Sequence, residues 1–230
     1  MRVGFDLPDF PAFPIVDGHS GVDEYVAFGG DLTLEWIIEA YTHGFFPFYA
    51  FREEELSWSC PVDRFVIFPD EIHVSHSMRN LINKGTYSVT FDTAFDDVIG
   101  NCSELRIDEK YAWLGPDIVK SYRELHRQGV AHSVEVWKDG RLVGGLYGLL
   151  IDDVFFGESM FSLEPSASKL ALIHLARRLK SGGVKFIDCQ YETPHLLSMG
   201  GRHISYGEYM QALGWEDPED WEFPEMETEK

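Results

Sequence analysis

HSVEVWKDGRLVGGLYGLLIDDVFFGESMF, His132–Phe161, decides the fold. Ser133, Glu135 and Trp137 alternate with Val134 and Val136, and alternation with period two is the signature of a strand. Asp139-Gly140 is a two-residue hairpin turn. Asp152-Asp153 marks a second turn before a strand from Val154 to Met160. Three strands therefore meander. Downstream, Ser166 or Ser168 can cap a helix in which Leu172, Leu175, Ala176 and Leu179 form one stripe, closed by Gly182 and Gly183. A further strand runs through Phe186 and Ile187 to Asp188 and Gln190. Upstream, His76 to Lys84, Ala94 to Ser103 and Pro116 to Gln128 read as helices, with a strand from Tyr87 to Phe91. Consecutive strands followed by a helix and one more strand point to a mixed α+β fold, not a sheet doubly wound from end to end.

A chain of 230 residues, 44% apolar and 14% aromatic, can build one large domain, or a main domain with a small companion. The first 65 residues are rich in Pro and aromatics and hold one clear helix, capped by Thr33 and ended by Gly44. They are expected to form a small N-terminal domain (1–65), followed by the main domain (66–214) and an acidic tail (215–230). From Glu216 to Lys230 there are eight acids and one lysine. The net charge of −20 opposes non-specific nucleic-acid binding through the global field. No apolar run approaches the roughly 18 residues that span a bilayer. MRVGFDLPDFPAFP has acids and prolines where a signal peptide would be apolar, so the expected compartment is the cytoplasm. The three cysteines are widely spaced, with no CxxC and no HExxH, which argues against a disulfide framework and a zinc site.

Two segments carry residues that their strands do not want. In FIDCQ, Phe186–Gln190, residues Asp188 and Gln190 would project side by side from a strand, with Cys189 facing away. In GESMFS, Gly157–Ser162, residues Phe156, Glu158 and Met160 would share one face. A carboxylate between Phe and Met either sits in solvent on an edge strand or rims an apolar pocket, because burying it alone is costly. If the two strands are neighbours, Asp188 and Glu158 make a negative site that suits a cation. Met160, Phe155, Leu146 and Met199 either pack the core or line the pocket. Trp113, Trp58 and Phe48 either pack or offer flat faces to a base. Arg79 and Lys84 on one helix, and Lys120, Arg123 and Arg127 on another, are either solvated or a basic strip for RNA phosphates. No glycine-rich nucleotide loop is present.

FGGDLTLEWIIEAYTHGFFPF, HVSHSMRN, AHSVEVW, LVGGLYG, FFGESMFS, ASKLAL and FIDCQ followed by TPHLLSMGG run in order from Phe28 to Gly201, within a match that covers roughly Phe28 to Ile204. Together they closely resemble the leucyl/phenylalanyl-tRNA–protein transferase family. The resemblance implies a GCN5-related acetyltransferase-like C-terminal domain with a small N-terminal domain. It also implies transfer of Leu or Phe from aminoacyl-tRNA to proteins with an N-terminal Arg or Lys, marking them for degradation, with no cofactor. The family's catalytic acid and amide match Asp188 and Gln190, and its substrate-binding acid and Met match Glu158 and Met160. A family Trp matches Trp113, and Phe48 stands where the family carries a Trp near the terminal adenosine. An acyl-CoA-dependent N-acetyltransferase on the same fold is a second reading, but ESMFSLEPSASK lacks its glycine-rich pyrophosphate turn. A non-catalytic tRNA-binding or adaptor protein is a third, disfavoured by intact Asp188 and Gln190.

Overall fold

The computed structural model describes residues 1–16, 21–48, 56–105 and 114–215. They divide into two compact units, one drawn from residues 1–64, 114–121 and 203–215 and the other from 65–105 and 122–202.

In the first unit, strands β1 (Arg2–Asp6), β2 (Glu24–Phe28), β3 (Phe46–Pro47) and β4 (Ser57–Pro61) form a sheet in the order β1-β2-β4-β3. Helix α1 (Leu34–Thr42) buries Trp36, Ile37, Ala40 and Tyr41, the i, i+1, i+4, i+5 stripe of an amphipathic helix. Phe13 packs against Trp36, Phe45 and Trp58 at ring distances of 6.0, 5.2 and 5.2 Å. Trp58 is fully buried and donates its indole N–H to the Gly29 carbonyl, so it is a core residue and offers no face to a base. Arg64 is also fully buried. Its Nη2 donates to the Gly44 carbonyl and the Tyr209 hydroxyl, and its guanidinium lies over the Tyr209 ring at 4.4 Å. A buried cation needs such a set of acceptors and a π face to offset its desolvation.

The second unit is built on strands β5 (Arg64–Ile67), β6 (Ser88–Phe91), β7 (Ala131–Lys138), β8 (Arg141–Ile151), β9 (Val154–Ser162) and β10 (Phe186–Asp188). They lie side by side in the order β5-β10-β9-β8-β7-β6. Its helices in chain order are α2 (His76–Lys84), α3 (Phe95–Glu104), residues 122–127 of α4 (Pro116–Arg127), α5 (Ala167–Gly182) and α6 (Pro194–Ser198). The expected α+β architecture is what the chain forms. β6 to β9 are antiparallel, and Asp139 and Gly140 turn the β7–β8 hairpin with φ of 50° and 74°. β10 is parallel to β9. A parallel return needs a crossover, and α5 supplies it.

The stripe Leu172, Leu175, Ala176 and Leu179 of α5 is buried against Val134, Val136, Leu146, Phe155 and Ile187 of the sheet. Gly183, at φ 77°, ends the helix in the left-handed conformation that glycine adopts without a Cβ clash. Gly144 is set by the same packing, since a Cβ there would lie 2.5 Å from the Ala167 Cβ at the start of α5.

The alternation in β7 does not separate solvent from core. Ser133 and Glu135 are fully buried on the face opposite α5. The Glu135 carboxylate accepts hydrogen bonds from the hydroxyls of Thr90, Thr93 and Ser133 at 2.5, 2.9 and 2.5 Å. The strand is covered on both faces, and the hydroxyls make burial of the acid affordable. Among the described residues no helix is long and apolar enough to cross a membrane.

Candidate active site

The sheet brings the two unusual segments together at the junction of β9 and β10. Phe186, Ile187 and Asp188 pair with Val154, Phe155 and Phe156, so the strand ending in Asp188 does lie beside the one carrying Glu158. Ile187 and Phe155 point into the core under α5. Alternation then places Asp188 and Phe156 on the other face.

β10 stops at Asp188, and this corrects the expectation that Asp188 and Gln190 project from one strand face. Gln190 has φ 58°, a left-handed conformation that costs a non-glycine residue on the order of 1 kcal/mol or more. Asp188 offsets that cost, because its Oδ1 accepts the Gln190 backbone N–H at 2.9 Å, the geometry of an Asx turn. Phe65 closes the turn from β5. Its carbonyl accepts the Cys189 N–H at 2.9 Å and its N–H donates to the Gln190 carbonyl at 3.3 Å. Asp188 is fully buried and Gln190 is 9% exposed. The carboxylate therefore holds the Gln190 backbone in place. Burial, together with the Asp188 charge, raises the Cys189 thiol far above its ordinary range, which favours the neutral thiol over the thiolate.

Glu158 also departs from the expected alternation. In the β8–β9 ladder Tyr147 faces Ser159 and Gly148 faces Gly157, so Glu158 is the extra residue of a β-bulge. One inserted residue exchanges the two faces of a strand beyond it. Met160 therefore pairs with Leu146 and packs on the α5 core together with Phe155 and Met199. Glu158 instead accepts a hydrogen bond from the Tyr122 hydroxyl of α4 at 3.1 Å. The shared face expected for Phe156, Glu158 and Met160 does not exist. Phe155 and Leu146 are 1% and 3% exposed, and Met160 is half-buried. The apolar residues thus form a wall on the α5 face, while Glu158 and Asp188 lie on the α4 face.

Tyr122 carried no signal in the sequence, because its partner is 36 residues away. The bulge did leave a trace: Gly148 faces Gly157, and glycine inside strands often marks such irregularities.

The remaining candidates are dispersed. Phe48, in the first unit, is half-buried with its backbone bonded to Ser57. Trp113 lies outside the described residues. Arg79 and Lys84 are exposed on α2 and Lys120 is exposed on α4. Arg123 pairs with Asp96 at 2.9 Å and Arg127 pairs with Glu124, so these two arginines are partly neutralised. Among the described residues no group of three or more His, Cys, Asp or Glu is arranged to hold a metal ion.

The sequence profile of leucyl/phenylalanyl-tRNA protein transferase matches residues 66–214, and that of the same family's N-terminal domain matches residues 30–62. The chain is 48% identical over 213 residues to the leucyl/phenylalanyl-tRNA–protein transferase of Chromohalobacter salexigens, covering 90% of this chain and 82% of that protein. It is 48% identical over 198 residues to the one of Syntrophobacter fumaroxidans, covering 86% and 84%. Among solved structures, an aminoglycoside acetyltransferase from a soil metagenome superposes with a TM-score of 0.39 at 10% identity, covering 50% of this chain and 84% of that one.

Proposed function

The chain belongs to the leucyl/phenylalanyl-tRNA–protein transferase family, and from that premise we propose that it moves Leu or Phe from aminoacyl-tRNA to the N-terminal Arg or Lys of acceptor proteins in the cytoplasm, marking them for degradation. The observation that carries this reading is the Asp188-supported Gln190 turn beside the Glu158 bulge, inside the segment matched by the family profile. The domain limits 1–65, 66–214 and 215–230 belong to the same proposal, with the chemistry in the middle segment.

The donor is an ester, already activated, so the reaction requires neither ATP nor a metal. The acceptor α-amine, with a pKa near ~8, is neutral in on the order of a tenth of molecules at pH 7. Its nitrogen forms an amide bond to the ester carbonyl carbon, the bond to the terminal ribose oxygen breaks, and the amine proton ends on that oxygen. An amide is a very weak base. Gln190 therefore serves by orienting the reactants through hydrogen bonds, and Asp188 by holding Gln190. Glu158 attracts the cationic side chain of the acceptor. Met160, Phe155 and Leu146 belong to the α5 core on the other face of the sheet and back the site rather than touch the donor. Phe48 and Trp113 supply stacking surface for the terminal adenosine, and Arg79, Lys84, Lys120, Arg123 and Arg127 supply phosphate contacts.

The test is transfer of labelled Leu or Phe from charged tRNA to an Arg-initiated peptide without ATP or added metal, with acetyl-CoA and the same peptide as control. Strict dependence on acetyl-CoA would overturn the reading. Two further results are expected. Glu158→Gln keeps shape and removes charge, so it should raise KM for Arg- and Lys-initiated peptides and narrow their advantage over an Ala-initiated one. Unchanged discrimination in kcat/KM would mean that the cation is read elsewhere. Affinity for charged tRNA should fall only shallowly with salt. Each duplex phosphate contact contributes about −0.9 to the slope of log affinity against log salt, and Arg123 and Arg127 already hold carboxylates. A slope of zero would remove the basic strip.

A further inference from the structure

We infer that Tyr122 is a positioning residue for acceptor selection, a role that rests on the reading of Glu158 given above. A residue inserted at a bulge is not aimed by the regular ladder, so the direction of the Glu158 side chain has to be set by something outside the β8–β9 pair. Tyr122 is placed to do this. Its hydroxyl donates to Glu158 Oε2 at 3.1 Å. A neutral phenol hydroxyl bonded to a carboxylate can only be the donor, so the bond orients the plane of the acid.

The mount is rigid. Tyr122 is fully buried, and its ring stands edge-on to Tyr147 at 5.7 Å and 84°. Tyr147 stands edge-on to Phe95 of α3 at 5.8 Å and 75°, and Phe95 stacks flat on His126 of α4 at 4.2 Å. Tyr147 is also the β8 residue next to the bulge, opposite Ser159. The ring series thus connects α3 and α4 to the strand position where the register shifts, and the hydroxyl at its end holds Glu158. A guanidinium or ammonium group is then met by a carboxylate of fixed direction. A loose carboxylate would also attract a cation, but it would discriminate less between acceptors, because ordering it would offset part of the gain.

Tyr122→Phe removes the hydroxyl and keeps the ring series. It should lower kcat/KM for Arg- and Lys-initiated peptides by about ten-fold, the scale of one hydrogen bond to a charged group. That loss should lie in the peptide KM, with a much smaller loss for an Ala-initiated peptide and an unchanged KM for charged tRNA, which also reports that the variant is folded. The Tyr122→Phe/Glu158→Gln double variant should discriminate no worse than Glu158→Gln alone. If Glu158→Gln narrows the Arg-to-Ala ratio and Tyr122→Phe does not, Tyr122 has no such role while the Glu158 reading stands. If neither variant changes the ratio, both readings fall. Equal losses for Arg and Ala peptides, or additive effects in the double variant, would also overturn the inference.

Discussion

Asp188→Ala should lower kcat/KM for aminoacyl transfer by about a hundred-fold or more, the scale seen when one positioned hydrogen-bonding group is lost from an active site. It should also destabilise the fold by about 1–3 kcal/mol, because the Gln190 N–H loses its acceptor inside the protein. The two effects share one origin. The carboxylate has no exposure, and its Oδ1 holds the Gln190 backbone in a left-handed turn. Asp188→Asn separates them. The amide oxygen still accepts the N–H, so thermal unfolding should stay close to that of the parent, while turnover reports what the negative charge adds beyond the turn. Gln190→Ala should lower turnover with little loss of stability, since the backbone bonds to Phe65 and Asp188 remain. Unfolding curves and single-turnover transfer on the same preparations decide the matter. Full activity in Asp188→Ala would show that the turn is a structural feature unconnected with transfer.

The sequence was most legible where local chemistry and long-range packing ask for the same thing. The α5 stripe, the Asp139-Gly140 turn and the α2 limits follow from side-chain periodicity and backbone preference, and the observed α2 is His76–Lys84 as expected. The β7–β8–β9 meander and the return strand were legible for the same reason. The strands of the first unit were not, because short segments rich in Pro and aromatics show no clean period. In the site, residue identities were legible and directions were not. Pattern reading assumes that side chains alternate without interruption. The assumption fails twice within the site, at the bulge that takes Glu158 out of step with Met160 and at the positive φ of Gln190. Both irregularities are held by contacts remote in sequence, Tyr122 to Glu158 and Phe65 to Gln190. The burial of Glu135 is illegible in the sequence for the same reason, since two of its hydroxyl donors, Thr90 and Thr93, lie more than 40 residues away.

Gly148→Ala should destabilise the protein by at least about 3 kcal/mol, the upper end of what overpacking costs. A Cβ at this position would lie 2.1 Å from the Phe156 carbonyl oxygen and 2.5 Å from the Phe155 ring. The nearer of these is backbone, so no rotamer change relieves it, and β8 and β9 have to separate or shift. They would do so where the register already changes, between Tyr147 and Gly148. The consequence extends to chemistry, because Phe156 is the β9 residue paired with Asp188 and Glu158 is the inserted residue two positions further along β9. Any movement that accommodates one methyl group therefore displaces both acids relative to each other. Gly182→Ala is the control. Nothing lies within 4 Å of a Cβ there, the position is the last residue of α5, and removing glycine from a helix should raise stability by up to about 1 kcal/mol. Denaturant unfolding should show the two variants moving in opposite directions. Transfer activity should fall in Gly148→Ala under conditions where the variant is still folded, and stay at the parent level in Gly182→Ala. A Gly148→Ala protein with parental stability would mean that the strands give way elsewhere, and parental activity in that protein would mean that the spacing of Glu158 and Asp188 does not matter for the reaction.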